Sequence, residues 1–175
     1  PGTSMKAHAE DNNYLTFKGT RAFTIKAPNG WNGTLYYSKD ASNWIEWDGS
    51  EISSAGSGNY VLYLRGSENT RICDSDLEEP QWTITSEGTV ACTGDIRSLL
   101  DFNDPNNTIM SYSCFAHMFK GCTVLTEAPT LPATDLAVMC YYGMFYGCTG
   151  LKEARALPAT SLENNCYSFM FDGCT

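Results

Sequence analysis

The hydrophobic pattern of the C-terminal third of the chain repeats every 26 residues. Six of the eight cysteines follow this interval, in two series that start at Cys114 and Cys122. The segments 114–139 and 140–165 are identical at 14 of their 26 positions, and 166–175 begins a third copy. A fixed interval of this length is typical of repeat architectures, in which neighbouring units stack and bury equivalent side chains in rows.

Each repeat unit combines a helical pattern with an extended one. From Phe115 onward, apolar residues at i, i+3, i+4 and i+7 predict a short helix with one buried face, and Gly121 lies near its end. Leu125 and Leu131 mark an extended segment that Pro132 ends. One short helix and one extended segment per unit predict a leucine-rich-repeat solenoid. The predicted structural core of the repeat consists of Cys114, Met118, Phe119, Cys122, Cys140, Met144, Phe145, Cys148, Cys166, Met170, Phe171 and Cys174.

The cysteines of the repeat are predicted to be small buried hydrophobic side chains. Eight helical residues span about 12 Å, which is too far for a disulfide between Cys114 and Cys122. Disulfides between neighbouring turns stay open as an alternative, whereas a zinc site is disfavoured because close CxxC pairs and accompanying histidines are missing. Cys73 and Cys92 lie outside the repeat and are either a disulfide pair or two separate thiols.

The region 14–92 has the pattern of an antiparallel, Ig-like β-sandwich. Short runs rich in β-branched and aromatic residues alternate with turn segments, and the run 60–65 alternates along its length. Three apolar residues between 96 and 100 predict a short helix that caps the open end of the solenoid. The predicted fold class is mixed β and α/β. It comprises a tag remnant and disordered tail over 1–13, the sandwich over 14–92, a junction or N-terminal cap over 93–113, and two full repeats and one partial repeat over 114–175.

The charge of the chain narrows the classes of partner. The 11 Lys and Arg against 20 Asp and Glu give a formal net charge of −9, which disfavours nucleic acid and an anionic membrane surface as partners. No run approaches the ~18 apolar residues of a membrane span. His8 lies in the tail, and His117 occupies a variable repeat position that is expected to face solvent. We therefore expect no enzyme activity, no cofactor and no metal site, with weak calcium binding left open in the acidic loops 74–79 and 101–104.

Aromatic residues supply the candidate binding surface. Trp and Tyr of the N-terminal region could stack on sugar rings, although such side chains are more often buried in a core. Trp44 and Trp47 are three residues apart, so in a strand they face opposite sides and one is expected to point outward. Tyr142 and Tyr146 lie off the buried stripe of the second repeat. The candidate ligand-binding residues are Trp31, Tyr36, Trp44, Trp47, Trp82, Tyr142 and Tyr146.

The second repeat unit resembles the BspA-like leucine-rich repeats of bacterial surface proteins. Its sequence, CYYGMFYGCTGLKEARALPATSLENN, follows the 26-residue variety of the pattern, C-Y-x-x-M-F-x-G-C-T-x-L, with Arg155 where proline is usual. The segments 36–50, 63–66 and 94–101 are similar to the β-rich region that often precedes such repeats. The resemblance covers nearly the whole chain after residue 13.

The resemblance implies binding rather than catalysis. It implies a secreted or cell-surface bacterial protein whose repeats take part in adhesion to an extracellular protein or glycan, and it supplies no catalytic residues. The signal and the anchor would lie outside this sequence, which stops within its third repeat and is expected to be a fragment. The alternative is a carbohydrate-binding module that uses the sandwich aromatics, as an accessory domain of a larger glycan-degrading enzyme.

Overall fold

The computed structural model describes residues 13–74 and 82–175. Within these residues the regular secondary structure consists of nine strands and two short 3-10 helices. The strands are β1 (Leu15–Gly19), β2 (Phe23–Lys26), β3 (Thr34–Ser38), β4 (Ile45–Trp47), β5 (Ile52–Ser53), β6 (Tyr60–Ser67), β7 (Thr83–Ser86), β8 (Val90–Thr93) and β9 (Leu125–Glu127). The 3-10 helices are Ile96–Leu99 and Pro105–Asn107. The predicted tail up to residue 12 and the part of the acidic loop from residue 75 onward lie outside the described residues.

Two sheets build the N-terminal region, and one strand of the first repeat, β9, joins the larger of them. The larger has the strand order β4-β3-β6-β1-β8-β9, and the smaller has the order β5-β2-β7. All neighbours pair antiparallel except β8 and β9, which are parallel. The prediction of a β-rich region with two sheets is confirmed.

The strands of the larger sheet alternate between a buried and an outer face, because successive side chains of a strand point to opposite sides. In β6, Leu62 and Leu64 are fully buried, whereas Tyr63 between them and Arg65 after them are partly exposed. Phe17 of β1 lies opposite Leu62 and is equally buried. The inward-facing residues of both sheets belong to one hydrophobic cluster. The side chains on the outer face of the larger sheet therefore lie outside this core and can take part in binding.

The helix predicted at the start of each repeat does not form, so this prediction is wrong in its backbone type. Every fourth residue of the run is left-handed: Ser113, His117 and Gly121 have φ of 56°, 56° and 74°. A right-handed α-helix cannot pass through such residues. Between them, every second amide closes a tight turn onto the carbonyl three residues back, as Met118 does onto Phe115 at 3.2 Å.

The remaining amides join one repeat unit to the next. The amide of Phe115 donates to the carbonyl of Cys140 at 2.8 Å, and the amide of Phe145 donates to Met170 at 3.0 Å. Left-handed residues recur at equivalent positions of the later units, so all three units share this stacked-turn backbone. The stacked-turn backbone repeats every four residues, which is close to the 3.6 residues per turn of an α-helix. Over eight residues, the side chains that a helix would bury are therefore buried here as well.

Equivalent side chains form rows along the stack. Phe119, Phe145 and Phe171 follow one another at 5.7 Å between ring centroids, with planes within 8° of parallel. Phe115, Tyr141 and Tyr167 form a second row at 5.7 and 5.8 Å. Ten of the twelve predicted core residues are buried, and the exceptions, Phe171 and Cys174 of the third unit, are partly buried.

The sheet region covers the first turn of the stack directly. Strand β9, in the first repeat, extends the larger sheet by pairing with β8. The amides of Ile72 and Cys73 both donate to Cys114 O at 3.0 Å, and the amide of Trp82 donates to Met118 O at 2.9 Å. These donors take the place that a preceding repeat would occupy. One hydrophobic cluster therefore runs from the sheets into the repeats, across the predicted boundary at residue 92.

The predicted capping helix between 96 and 100 is a 3-10 helix in the structure. Asp95 caps it by accepting a hydrogen bond from the Arg97 amide at 2.9 Å. Ile96 and Leu99 are fully buried, and the Ile96 amide donates to Thr130 O of the first repeat at 3.1 Å. The helix therefore packs beside the extended segment of that repeat, while residues 72–73 and 82 cover the turn.

Candidate binding surface

Trp47 and Trp82, two of the candidate ligand contacts, are buried. Their exposed fractions are 2% and 1%, which removes them from a ligand-binding surface. Trp47 faces inward because it lies opposite Leu35 in the register of β3 and β4. Trp82 packs edge-on against Trp47 at 5.3 Å and against Phe119 of the first repeat at 6.2 Å. Both residues join the sheet core to the Phe119 row.

Trp31 has an intermediate position. It is partly exposed and stacks on Trp47 at 5.7 Å with an interplanar angle of 17°. One face of its ring is therefore occupied by the protein. Trp31 acts mainly as a cover for the core at this edge of the molecule.

Tyr36 and Trp44 lie in a group of aromatic residues on the outer face of the larger sheet. Tyr36 of β3 is opposite Arg65 of β6, so both side chains share this face. The guanidinium carbon of Arg65 lies 4.0 Å from the Trp44 ring centroid and 3.8 Å from that of Phe102. It lies 6.0 Å from the Tyr36 ring. We call the group the Arg65 cluster; its members are Tyr14, Tyr36, Trp44, Tyr63, Arg65 and Phe102.

The remaining rings of the Arg65 cluster contact one another on the same face. Tyr14 lies 5.6 Å from Trp44 and 5.3 Å from Tyr63, between ring centroids. All these side chains are partly exposed. The cluster thus forms an aromatic surface, open to solvent, around one cation.

The side chain of Arg65 has no hydrogen bond or ion pair with any of the described residues. The two ion pairs among those residues use other arginines, in Arg97–Asp95 and Arg155–Glu127. The Nε atom of Arg65 is buried without a hydrogen-bond partner among the described residues. Burial lowers the pKa of Arg65, an effect that nearby Tyr36 opposes. The rings of the cluster are the main stabilising contacts of this charge.

A short loop positions Trp44 over Arg65. The carboxylate of Asp40 accepts hydrogen bonds from the amides of Ser42 at 2.9 Å and Asn43 at 2.8 Å. Together with the Asn43 side chain, these bonds hold the pKa of Asp40 well below its usual range. Ala41, between Asp40 and Ser42, has a left-handed φ of 60°, which shows how tightly the loop turns. The loop therefore fixes the direction in which the chain enters β4.

A groove lies where β4 and β5 form neighbouring edges of the two sheets. Its volume is about 430 Å³, and it is lined by Tyr37, Ile45, Glu46, Trp47, Asp48, Ser50, Glu51 and Ile52. Hydrogen bonds from Ser50 lower the pKa of Asp48. Thr24 donates to the Glu51 carboxylate at 3.4 Å. The groove was not predicted, because it arises where two strands from different sheets approach each other.

Tyr142 and Tyr146 lie on the surface of the stacked turns. They are four residues apart, which is one period of this backbone, so they share a side. Tyr142 is partly exposed and sits between His117 at 5.4 Å and Phe169 at 5.5 Å, between ring centroids. Tyr146 is 40% exposed and Phe169 is 56% exposed. We call Tyr142, Tyr146 and Phe169 the turn-surface row.

His117 does not face solvent as expected; it is only 7% exposed. Its imidazole lies over Gly143, where a Cβ would collide with it. The equivalent residues of the first two units are thus a ring, His117, and a glycine, Gly143, whose missing side chain leaves room for that ring. This contact explains why the second unit has glycine where the first has histidine. His117 is a packing residue of the stack.

All eight cysteines are free thiols. In place of the disulfide considered for Cys73 and Cys92, each is buried in a different setting. Cys73 lies beside Cys114, and Cys92 lies opposite Phe17 in the register of β1 and β8. Burial raises the pKa of Cys122 to about 11 and that of Cys140 to about 12.

The second cysteine series bonds across the turns. The thiol of Cys148 donates to Phe119 O at 2.9 Å, and that of Cys174 donates to Phe145 O at 3.0 Å. Each thiol therefore satisfies a carbonyl of the preceding unit. Within residues 13–74 and 82–175, no group of three or more His, Cys, Asp and Glu side chains is arranged to hold a metal ion.

Comparisons with known proteins add nothing to the functional argument from the geometry. A scan against protein-family models, a search of curated proteins and a search of solved structures each returned no match. In the described part of the chain, neither short helix has the length and apolar character needed to cross a membrane. The functional argument therefore rests on the two aromatic surfaces.

Proposed function

We propose that the chain is a non-catalytic binding module of a secreted or cell-surface bacterial protein, with a role in adhesion. In this proposal the stacked turns are a BspA-like leucine-rich-repeat solenoid, and the β-rich region covers its N-terminal end. The repeat interval, the backbone bonds between units and the rows of stacked rings support the solenoid. The resemblance of the second repeat supports the location and the adhesive role.

The turn-surface row carries the proposal that the repeats recognise a protein. Tyr142, Tyr146 and Phe169 expose aromatic rings on a backbone that is tied to its neighbours by hydrogen bonds and buried stacks. Rigid aromatic side chains lose little conformational entropy on binding, and they dominate the energetics of protein interfaces. Surface rings that pack on one another at 5.5 Å are thus prepared for contact before a partner arrives.

A binding assay on extracellular matrix proteins, fibronectin among them, tests this proposal. The double variant Tyr142→Ala with Tyr146→Ala should weaken binding at least tenfold, which corresponds to about 1.4 kcal/mol. Leu162→Ala is the matched control. Leu162 is an apolar residue that is 61% exposed, but it lies in the segment that joins the turns of the second unit to those of the third. Binding that is unchanged in the double variant, or no binding by the unmodified chain, would contradict the proposal.

A second candidate function, glycan binding, is favoured by the Arg65 cluster. Its partly exposed rings form an aromatic surface on the outer face of the larger sheet, and Trp44 is held in place by the Asp40 loop. Aromatic rings of this kind can pack on the apolar face of a sugar while their polar edges reach water. Retardation in a polysaccharide gel that Trp44→Ala abolishes would support this candidate.

A further inference from the structure

We propose that the Arg65 cluster binds the carboxylate of an acidic sugar, so that the glycan recognised by the sheet face is a polyuronate. The inference rests on the glycan-binding candidate above and narrows it to one class of ligand. It follows from the position of a cation, without a counter-ion among the described residues, on an aromatic surface.

The first step is the fixed position of the guanidinium group. Trp44 and Phe102 hold its carbon at 4.0 and 3.8 Å from their ring centroids, so the group lies between two rings. A guanidinium held in this way loses little further entropy when it binds a planar carboxylate through two parallel hydrogen bonds. The rings therefore prepare Arg65 for bidentate recognition.

The second step is the missing counter-charge. The chain carries a formal net charge of −9, yet no carboxylate of the described residues pairs with Arg65. Its buried Nε has no hydrogen-bond partner there, whereas the side chain as a whole is partly exposed. A partly desolvated charge of this kind gains from an anionic ligand that supplies both charge and acceptors.

The third step is the aromatic surface around the cation. Tyr36, Trp44 and Tyr63 lie on three neighbouring strands or their ends, and adjacent strands are about 4.8 Å apart. The surface from β4 to β1 therefore extends over about 14 Å, which suits a short oligosaccharide better than a single sugar. The rings would pack against sugar faces while Arg65 takes the carboxylate.

The place of Arg65 in the sheet disfavours an acidic peptide. Extended peptides usually add a strand to a free sheet edge, where backbone groups are available. Arg65 lies on β6, which is paired with β3 on one side and with β1 on the other. A peptide at this face would have no backbone partner, whereas a glycan needs only rings, charge and hydroxyl groups.

Calorimetric titration with polygalacturonate, alginate and hyaluronate tests the inference. At least one of these carboxylated glycans should bind, and salt should weaken its binding. Arg65→Gln should weaken that binding at least tenfold, and Arg65→Lys should restore part of it, because lysine keeps the charge but not the planar fork. Arg21→Gln is the matched control, since it removes one charge from an exposed residue outside the cluster and should leave binding unchanged.

Three ligands that lack a sugar carboxylate show whether a failure affects the polyuronate inference alone or the glycan candidate as well. Methyl-esterified polygalacturonate, dextran sulfate and poly-glutamate should each bind at least tenfold more weakly than the carboxylated glycan. Equal binding of any of these three, or no effect of Arg65→Gln, would overturn the polyuronate inference. Binding of neutral glycans that Trp44→Ala abolishes and Arg65→Gln leaves intact would overturn it while the glycan candidate stands. No binding of any glycan would overturn both. Thermal melts of the variants confirm that the fold is retained.

Discussion

The stacked turns and the outer face of the larger sheet both group aromatic rings, but they do so in different ways. In the turns, Phe119 and Phe145 are equivalent residues of successive units, and their planes differ by only 8°. On the sheet, Tyr14 meets Trp44 at 49° and Tyr63 at 79°. Repetition by translation gives parallel rings that fill a core, whereas neighbouring strands bring unlike residues together around a cation. The first arrangement mainly provides stability, and the second provides chemistry.

The largest expected effect is in the buried row of the turns. Phe145 is fully buried between Phe119 and Phe171, so Phe145→Ala should lower the free energy of unfolding by about 3–5 kcal/mol. Urea denaturation measures this loss. Phe169→Ala removes a ring that is 56% exposed and should cost under about 1 kcal/mol. Equal losses for the two variants would show that the Phe145 row is not a core.

The buried thiols should make the protein less stable at high pH. Burial raises the pKa of Cys122 to about 11 and of Cys140 to about 12, from 9.0. Between pH 9 and 11 the unfolded chain loses thiol protons that the folded chain keeps, so stability falls as the pH rises. We expect the loss at pH 10 relative to pH 8 to be about 1 kcal/mol or more per buried thiol.

Urea denaturation at the two pH values, with alkylation of the native protein, measures this dependence. Cys174, which is partly exposed, should react first at pH 8, ahead of the buried thiols. Variants in which Cys122 or Cys140 is replaced by alanine should show a smaller pH dependence. Equal stability at pH 8 and pH 10 would mean that these side chains are not buried.

Substitutions at two glycines of the stacked turns distinguish the stability cost of backbone strain from that of a steric collision. Gly121 and Gly143 are both left-handed, with φ of 74° and 56°. A Cβ at Gly121 would meet nothing within 4 Å, whereas one at Gly143 would collide with His117. Gly121→Ala should therefore cost about 1 kcal/mol, and Gly143→Ala about 2–3 kcal/mol.

Combining Gly143→Ala with His117→Ala isolates the contact between the two positions. The second substitution should recover part of the loss, because it removes the side chain that the new methyl group strikes. A double-mutant cycle from urea denaturation provides the number. Strictly additive losses would contradict the packing of His117 over Gly143.

The smallest effect is expected in the loop that supports the sheet site. Asp40→Ala removes the acceptor for the Ser42 and Asn43 amides, so the indole resonance of Trp44 should shift while the melting temperature changes little. The lowered pKa of Asp40 means that its carboxylate keeps these hydrogen bonds through the usual titration range of aspartate and loses them only at lower pH. In the unmodified protein the Trp44 resonance should therefore still hold at about pH 3.9, where an ordinary aspartate is half protonated. A shift of this resonance with its midpoint near that pH would contradict this account.

The burial of the repeat could be predicted from the sequence, but its backbone could not. Over one short run, a four-residue period and a helical period select the same buried side chains, among them Phe115 and Phe119. Gly121 is a hint of left-handed backbone, but Ser113 and His117 take the same conformation without any sequence signal. The difference between the two backbones lies in bonds to the next unit, which a local pattern does not contain.

The candidate site could be predicted only in part. The three-residue spacing from Trp44 to Trp47 indicates that one of them points outward, and Trp44 does so. The sequence pattern does not mark Arg65 as a site residue, although the alternation of β6 places it beside Tyr63 on the outer face. Phe102 comes from the junction and reaches Arg65 only through tertiary structure. Contacts between distant segments set the charge environment, and composition alone does not reveal them.

Hydrogen exchange at three equivalent amides tests the stacked-turn account most directly. The amides of Phe119 and Phe145 donate to the carbonyls of Met144 and Met170 in the following unit, at 2.9 and 3.0 Å. The amide of Phe171 finds no such acceptor among the described residues, whereas its neighbour Met170 bonds within its own turn at 3.3 Å. We predict slow exchange at Phe119 and Phe145, and faster exchange at Phe171 than at Met170. Equal protection of Phe119, Phe145 and Phe171 would indicate independent helices and would contradict the stack.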